Sequence, residues 1–331
     1  MTSLSTILMF TQQYTLSTII IIVIMGLIGN SLVILIFTKI KIFRNNQCVF
    51  YLMVESIVNI ALLIYNFILR LLTVRYGFNI WYSSPVWCKI RIIIGQTFVL
   101  VLFSTICFTA FDQFLATSYS VYLRYKSSLK LARNLVIVGI CFSLCHSVAF
   151  GVFFDAKPPG DCAASYPILI RYYSYFFYPI LSGLLPIVVA GSFSILACRN
   201  VRRIIRRQVP IVRRRLDRQL TKLVLLRVSF LIIFNTPFVI YRVYSINIII
   251  NPTDSMRIAV ERLVQAIINS VLYLNYAVNF YIFWLSSSQY RRQVRYVLIK
   301  KYWQQWKQRF HPHNNQIGPS NAPPVTSIEL E

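Results

Sequence analysis

The sequence predicts an all-α membrane protein, a seven-transmembrane helix bundle followed by a short amphipathic eighth helix. Two observations lead to this prediction: seven long apolar runs divide the chain, and basic residues collect in alternate gaps between those runs. The composition agrees, because 57% of the residues are hydrophobic and only 13% are charged. A soluble domain of that composition would lack the polar surface needed to cover its core.

Each apolar run is long enough to cross a bilayer as a helix. About 20 mainly apolar residues are needed to cross about 30 Å of hydrocarbon, whereas strands of a membrane β-barrel are about half as long and alternate in polarity. The predicted spans are residues 17–38, 48–71, 90–117, 134–154, 173–198, 222–250 and 259–285.

The basic residues indicate the orientation of the spans. Of the 34 Lys and Arg, 24 lie in the first, third and fifth gaps and in the chain after Ser288. Cytoplasmic loops carry such an excess of positive charge, so these segments are predicted to face the cytoplasm. We therefore expect a multi-pass protein of the plasma membrane whose N-terminus is extracellular.

The spans divide the chain into four predicted segments. They are a short extracellular N-terminus (1–16), the seven-helix transmembrane domain (17–285), an amphipathic membrane-surface helix (286–310) and a disordered cytosolic tail (311–331). The first segment has no Lys or Arg, unlike the start of a cleaved signal peptide, so we expect the first span to act as a signal-anchor.

The segment after the seventh span has the pattern of a helix that lies on a membrane. Its apolar residues recur at i, i+4, i+7 and i+8, and its basic residues lie on the opposite face. The apolar residues are Tyr290, Val294, Val297 and Leu298, and the basic ones are Arg291, Arg292, Arg295 and Lys300. Trp303 and Trp306 are expected to anchor this helix.

A net charge of +25 raises the question of a nucleic-acid partner. The positive charges instead flank the membrane spans, where they match the anionic lipids of the inner leaflet. The basic stretch from Arg199 to Lys222, between the fifth and sixth spans, is expected to bind those lipids or a protein partner. We predict anionic membrane lipids as partners and no nucleic acid.

The residues that catalysis needs are not grouped in this sequence. His311 and His313 fall in the tail, and His146 stands alone in the fourth span, where a core histidine is expected. We find no metal-ligand spacing among His, Cys, Asp and Glu, and no Gly-rich phosphate loop. The sequence therefore predicts neither an enzyme nor a cofactor or metal site.

Two of the seven cysteines are predicted to lie on the outer side of the membrane. Cys88 is at the head of the third span, and Cys162 is in the gap before the fifth. In an oxidising compartment they would form a disulfide that ties this outer loop to the third helix.

Motifs along the spans match those of a known family in order and spacing. They include Gly29-Asn30, Trp87-Cys88 with its outer partner Cys162, and Pro186 in the fifth span. Phe111-Asp112-Gln113 stands in the place of Asp-Arg-Tyr, Phe234-Asn235-Thr236-Pro237 in that of Cys-Trp-x-Pro, and Asn279-Phe280-Tyr281-Ile282-Phe283 in that of Asn-Pro-x-x-Tyr. Over about residues 17–300 the chain resembles the rhodopsin-like G protein-coupled receptors.

The resemblance implies that an extracellular ligand acts on a heterotrimeric G protein through an outward movement of the sixth helix. Five positions depart from the family's residues: Gln113 for arginine, Asn235 for tryptophan, Phe280 for proline, Phe283 for tyrosine, and Asn59 for the aspartate that holds sodium in many relatives. Each departure changes one inherited part of that mechanism.

The inner end of the bundle retains the parts of a two-state switch. Asp217 lies 20 residues before Pro237, about 30 Å along a helix, at the cytosolic foot of the sixth span. In relatives an acid there pairs with the motif arginine, whereas here its partner would be Gln113, beside Asp112. Because a hydrogen bond to a charged group contributes only about 1.5–3 kcal/mol, we expect a weaker closing contact and ligand-free signalling.

Two ionisable residues lie inside the predicted membrane region, Glu55 in the second span and Arg227 in the sixth. Charges at such depth usually face a partner or water. One hypothesis is that they meet near Asn59 and Asn279 and replace the apolar layer that keeps the cytosolic half shut. The alternative is that Arg227 snorkels to the headgroups while Glu55 is protonated or faces a water pocket.

The predicted outer surface has nine basic and four acidic residues, a net charge of +5. Such a surface favours a ligand with carboxylate or phosphate groups, either a peptide or an acidic small molecule. Arg242, five residues after Pro237, is expected at the pocket rim, and Gln96, Gln265 and Tyr241 are candidates for its lining. Gly95 stands where amine receptors of this family have an aspartate, which argues against a biogenic amine.

Two other functions remain open from the sequence. Glu55, Arg227 and Asn59 could form the polar path of an ion channel or transporter, which currents or uptake without G proteins would reveal. The missing arginine at Gln113 would also suit a non-signalling decoy receptor, which binds its ligand without promoting nucleotide exchange.

Overall fold

A computed structural model describes residues 2–40, 43, 46–76, 84–157, 161–164, 166–204, 211–248 and 254–301. The described chain is almost entirely helical. Its helices are α1 (Thr2–Lys39), α2 (Gln47–Tyr76), α3 (Pro85–Thr117), α4 (Val121–Lys126), α5 (Leu129–Gly151), α6 (Pro167–Tyr172), a π-helical segment (Tyr173–Leu184), α7 (Leu185–Ile204), α8 (Ile211–Asn247), α9 (Ser255–Ala277), α10 (Asn279–Ser286), α11 (Ser288–Arg295) and a second π-helical segment (Tyr296–Lys301).

Six helical stretches of the described chain are long and apolar enough to cross a membrane. The first to sixth spans are α1, α2, α3, α5, the continuous run from α6 to α7, and α8. The seventh span is the pair α9 and α10, which is bent by 60° at its break. The predicted seven-transmembrane helix bundle is therefore confirmed, and its ends are named outer and inner after the predicted orientation.

The first helix begins earlier than the sequence pattern predicts. α1 starts at Thr2, so residues 2–16, which were expected to form a separate N-terminal segment, continue the helix of the first span. Threonine hydroxyls along this stretch donate to carbonyls one turn earlier, from Thr11 to Ile7 and from Thr15 to Thr11, both at 2.7 Å. No Gly or Pro interrupts the stretch, so nothing in it ends the helix.

The first, second and seventh spans approach one another closely at Gly26. A Cβ atom at this position would lie 2.2 Å from Leu63 Cδ1 and 3.1 Å from Ala277 Cβ. Glycine therefore permits the close packing that brings polar groups of these three spans together. The third span lies at the centre of the bundle, where it packs against the second, fourth, fifth and sixth.

A disulfide ties the outer loop to the head of the third span. Strands Phe154–Lys157 and Asp161–Ala164 pair as an antiparallel two-stranded sheet. The second strand carries Cys162, which is bonded to Cys88 with 5.6 Å between the Cα atoms. The predicted disulfide is confirmed.

The helix after the seventh span is present and amphipathic. α11 begins at a Ser287 cap, whose Oγ accepts from the Tyr290 N–H at 3.2 Å. Tyr290, Val294 and Val297 are buried against the bundle, and burial raises the pKa of the Tyr290 phenol. That α11 lies on a membrane surface stays a prediction. Trp303, Trp306 and the predicted tail 311–331 lie outside the described residues.

Candidate functional site

A buried ion pair joins the second and sixth spans. The Arg227 Nε–H donates to Glu55 Oε1, and each residue is only 1% exposed. The structure thus brings together the two ionisable residues that the sequence places at similar depth. The guanidinium lies inside the bundle and does not reach toward the headgroups, so the snorkelling alternative does not describe this conformation.

The seventh span completes the site with two asparagines one turn apart. Arg227 Nη1 donates to Asn275 Oδ1 at 2.6 Å, and Asn279 Nδ2 donates to Glu55 Oε1 at 2.8 Å. Asn275 was not among the predicted residues, although it lies four residues before Asn279, the spacing that brings side chains to one side of a continuous helix. The seventh span bends between them, even though Phe280 stands where relatives have proline.

Asn59 lies one turn from Glu55 on the second span but belongs to a neighbouring set of contacts. Its Nδ2 donates to Asn30 Oδ1 at 3.4 Å. Asn30 Nδ2 in turn donates to the carbonyls of Gly26 and Tyr276, at 2.8 and 2.9 Å. These bonds tie the first, second and seventh spans together.

The buried polar residues are incompletely paired. Within the described part of the chain, five of their polar atoms have no hydrogen-bond partner: Glu55 Oε2, Asn59 Oδ1, Arg227 Nη2, Asn275 Nδ2 and Asn279 Oδ1. A buried polar group without a partner costs about 1–3 kcal/mol. The contacts within the described chain therefore leave donors and acceptors of this network unused.

The foot of the sixth span is held by neutral hydrogen bonds to the third span. Gln113 Nε2 donates to Thr221 Oγ1 at 2.8 Å and to the Asp217 carbonyl at 3.3 Å. The sequence predicted the Asp217 carboxylate as the acceptor. That prediction is wrong, since the acceptors are the Thr221 hydroxyl and the Asp217 backbone carbonyl. The physical reason is that Thr221, one turn later, presents its hydroxyl to Gln113, and this hydroxyl also donates to the Asp217 carbonyl at 2.8 Å.

Asp112 contacts the loop that follows the third span rather than the sixth span. Its Oδ1 accepts from Ser127 Oγ at 2.8 Å. The carbonyl of Ser127 accepts from Gln47 Nε2 at 3.1 Å. Asp112 therefore fixes the loop between the third and fourth spans to the inner end of the second.

The helix after the seventh span, α11, also contacts the foot of the sixth span. Gln219 Nε2 donates to Gln293 Oε1 at 2.9 Å, and Gln293 Nε2 returns a bond of 3.4 Å to Gln219 Oε1. Lys222 Nζ donates to the carbonyl of Ser286, at the end of α10. This pairing was not predicted, because two glutamines on separate helices have no characteristic spacing in the sequence.

Halfway along the bundle, Asn235 contacts the fifth span. Its Nδ2 donates to the Ser182 carbonyl at 2.8 Å, at the inner end of the π-helical segment. Pro237, two residues later, lies inside α8. The residue that replaces the family's tryptophan is thus a hydrogen-bond donor between two helices.

The predicted ligand residues Arg242 and Tyr241 face different neighbours. Arg242 Nη2 donates to Tyr178 Oη at 2.9 Å, and its guanidinium carbon lies 5.1 Å from the centre of the Tyr178 ring. The Arg242 Nε is buried and has no partner among the described residues. Tyr241 instead donates to the carbonyl and carboxylate of Glu261 in the seventh span, at 3.3 and 3.5 Å. Gln265, one turn after Glu261, is partly buried.

Gln96 lies in a polar cluster of the third, fourth and fifth spans. Its Nε2 is 3.1 Å from His146 Nδ1, and its Oε1 accepts from Tyr173 Oη at 3.0 Å. The other ring nitrogen of His146 is 2.6 Å from Tyr172 Oη. The ring of Tyr173 lies 6.0 Å from that of Tyr178, which links this cluster to Arg242. His146, expected to be a simple core residue, is a polar link between spans.

A bundle of seven spans, with a disulfide at its outer end and a buried polar network toward its inner end, has the architecture of a membrane receptor. Residues 29–283 match the model of the family described as 7 transmembrane receptor (rhodopsin family). The chain therefore belongs to that family. No match was found among curated proteins.

Proposed function

We propose that the protein transmits the binding of an extracellular ligand to a heterotrimeric G protein by outward movement of the sixth span. Membership of the rhodopsin family supports a signalling role. The observation that carries the proposal is the buried Arg227, which joins the sixth span to Glu55 and Asn275 on two other spans. A buried guanidinium with partners on two other spans makes the position of the sixth span depend on how charges pair inside the bundle.

The contacts along the sixth span differ in strength, and this difference suggests which of them sets the resting state. The neutral bonds of Gln113 and Gln219 at the foot contribute about 0.5–1.5 kcal/mol each. Separating a buried ion pair costs more, about 3–5 kcal/mol when one charge is left unpaired. The Glu55–Arg227 pair is therefore the main restraint, and the foot opens readily once that pair rearranges.

The proposed ligand carries a carboxylate or phosphate group, as a peptide or an acidic small molecule. Arg242 supports this class of ligand, because its guanidinium is held over Tyr178 and keeps one buried donor unused. An anion could take that donor and compete with the Tyr178 hydroxyl for Nη2, since a carboxylate or phosphate oxygen attracts a guanidinium more strongly than a neutral hydroxyl oxygen does. The net positive charge of the predicted outer surface favours the same ligands.

Screening anionic peptides and acidic small molecules in cells with promiscuous G proteins tests this function. The proposal expects ligand-dependent nucleotide exchange on the G protein. A bound ligand without any exchange would favour the decoy receptor, and currents in cells that lack G proteins would favour the channel. Either result would contradict the proposal.

Once such an agonist is found, Arg242→Gln should lower its potency by about tenfold, the effect of losing about 1.4 kcal/mol of charge-assisted bonding. The measurement is a concentration–response curve for nucleotide exchange. Arg257→Gln is the matched control, because Arg257 is exposed at the start of α9. Equal losses in the two variants would mean that only general surface charge matters.

Gln113→Arg should reduce ligand-free nucleotide exchange by about fivefold, because an arginine can pair with the Asp217 carboxylate and add about 1 kcal/mol to the closed state. The measurement is exchange on purified G proteins, normalised to the amount of folded receptor. Asp217→Asn in the same background should remove the effect. Unchanged or higher exchange in Gln113→Arg would count against this role.

A further inference from the structure

We propose that Ser127 is a phosphorylation site and that its phosphate releases the loop between the third and fourth spans from the bundle. This loop, residues 118–128, contains α4 and is named the inner loop. Ser127 lies in the two-residue link between α4 and α5. The predicted orientation places the inner loop in the cytoplasm, where protein kinases modify hydroxyl groups.

Cations flank Ser127 on both sides. Arg124 and Lys126 lie three residues and one residue before it, and Lys130 lies three residues after it. Lys126 and Lys130 are exposed, Arg124 is partly buried, and residues 118–128 include no Asp or Glu. A kinase that selects substrates by charge presents carboxylates to such cations. The segment therefore fits the peptide groove of a serine kinase that selects basic substrates.

Little free energy is needed to unfold the part of the inner loop that precedes Ser127. α4 has only six residues, none of them is buried, and its Ser120 cap makes no side-chain bond. A short helix without buried apolar side chains belongs to the least stable parts of a structure. This part can therefore become extended and enter a kinase groove.

Two hydrogen bonds hold Ser127 in the resting structure. Its Oγ donates to Asp112 Oδ1 at 2.8 Å, and its carbonyl accepts from Gln47 Nε2 at 3.1 Å. Ser127 is only partly buried, whereas Asp112 is 2% exposed. The hydroxyl thus lies at the surface, with a buried carboxylate behind it.

The modification converts this hydroxyl into a phosphate ester. Ser127 Oγ forms a bond to the γ-phosphorus of a nucleoside triphosphate while the bond from that phosphorus to the nucleoside diphosphate breaks. The hydroxyl proton passes to the general base of the kinase. Hydrolysis by a phosphatase restores the hydroxyl and releases inorganic phosphate, so the change is reversible.

The phosphate turns an attractive contact into a repulsive one. A phosphoserine carries a charge of about −1.5 to −2 at pH 7, and it replaces the hydroxyl donor of Asp112. Because Asp112 is buried, water and salt screen this repulsion poorly. Lys126 and Lys130 meanwhile attract the phosphate toward the solvent. The loop therefore leaves the bundle, and the Gln47 bond to the Ser127 carbonyl breaks with it.

Ser128 offers a comparison, because it has the same hydroxyl in a different place. Its Oγ accepts from the Leu131 N–H at 3.3 Å, as the cap of α5. A phosphate there would face the free N–H groups and the positive end of the helix dipole, which stabilise a negative charge. Phosphate is thus expected to loosen the loop at Ser127 and not at Ser128.

Treatment of the purified full-length receptor with magnesium ATP and the catalytic domain of an arginine-directed serine kinase tests the site. Mass spectrometry should find phosphate on Ser127. Arg124→Gln/Lys126→Gln should lower the initial rate by about tenfold, because two cations that bind the kinase are lost. Arg203→Gln is the control, an exposed cation at the end of the fifth span. Equal losses in the two variants, or phosphate only on other hydroxyls, would overturn the site.

The side of the membrane is tested in cells with the same kinase and ATP. Permeabilised cells should gain phosphate on Ser127, and intact cells should not. Ser127→Ala should remove this phosphopeptide. Modification of Ser127 on intact cells would contradict the cytoplasmic position of the inner loop.

Hydrogen exchange of residues 118–131 measures the release of the loop. Phosphate on Ser127 should speed this exchange by about tenfold, the effect of losing one hydrogen bond to a charged group. In Asp112→Asn, which keeps an acceptor but no charge, phosphorylation should speed it by less than about threefold. Unchanged exchange after phosphorylation, or equal acceleration in both proteins, would overturn the release.

A pair of variants decides the same question if Asp112→Asn does not fold. Ser127→Asp and Ser127→Asn introduce side chains of equal size, and only the first adds a charge beside Asp112. Exchange should be clearly faster in Ser127→Asp, while Ser128→Asp should leave it unchanged or slower. Equal exchange in the first two variants, or equal acceleration by Ser128→Asp, would contradict repulsion by Asp112. None of these measurements uses a G protein, so their outcome is independent of the proposed signalling function.

Discussion

Replacing Arg227 by methionine should remove most of the folded receptor from the cell surface, and Glu55→Leu should do the same. Each change leaves one charged side chain buried without its counter-ion, a loss of about 3–5 kcal/mol. The bonds from Asn275 and Asn279 to the pair are then lost or misdirected as well. Surface detection of an N-terminal epitope and the Tm of the solubilised protein measure the effect.

The double variant Glu55→Leu/Arg227→Met should recover much of what either single change loses. Removing both charges also removes the free energy needed to strip them of water, so an apolar pair of similar volume is often neutral or stabilising. A charge swap, Glu55→Arg/Arg227→Glu, offers a stricter test of pairing. Arg257→Met is the control for loss of an exposed arginine. Single variants no worse than this control, or double variants that recover nothing, would show that the pair does not hold the spans together.

Cys162→Ser should have the second largest effect on stability. The disulfide between Cys88 and Cys162 joins residues 74 positions apart, and removing a native bond of this kind typically costs about 2–5 kcal/mol. We expect a clear fall in Tm and in surface expression. The same fall should follow treatment of the unmodified receptor with a membrane-impermeant reductant.

Cys141→Ser and Cys145→Ser are the matched controls, because both thiols are free and on the exposed face of the fourth span. They should leave the Tm within about 1 °C of the native value, since surface substitutions usually change stability by less than about 0.5 kcal/mol. Cys88→Ser combined with Cys162→Ser should be no worse than either alone. Additive losses from the two cysteines would contradict a shared bond.

The sequence predicts well those features that depend on depth along a helix. A rise of 1.5 Å per residue is enough to place Glu55 and Arg227 at similar levels, and the low polarity around them makes pairing favourable. The outer position of Cys88 and Cys162 follows from the distribution of Lys and Arg in the same way. The spacing along the chain and the orientation of the spans are enough to predict both features.

The sequence does not predict features that depend on rotation about the helix axis. Gln113 lies at the same depth as Asp217, but helix packing turns the Thr221 hydroxyl toward the Gln113 side chain. No sequence pattern predicts that Thr221 is the acceptor. Tyr173 and Tyr178, which bond to Gln96 and Arg242, lie in the π-helical segment, whose wider turn changes which side chains of the fifth span face inward. A helical period of 3.6 residues, assumed from the sequence, cannot reproduce that change.

The length of the first helix has a consequence for experiments on the intact protein. Its 38 residues correspond to about 57 Å, while the hydrocarbon layer is only about 30 Å thick. The part of α1 that extends beyond this layer is therefore helical from Thr2 onward. A fluorophore attached there would sit at one height above the lipid, so energy transfer to a headgroup dye should give a single narrow distance.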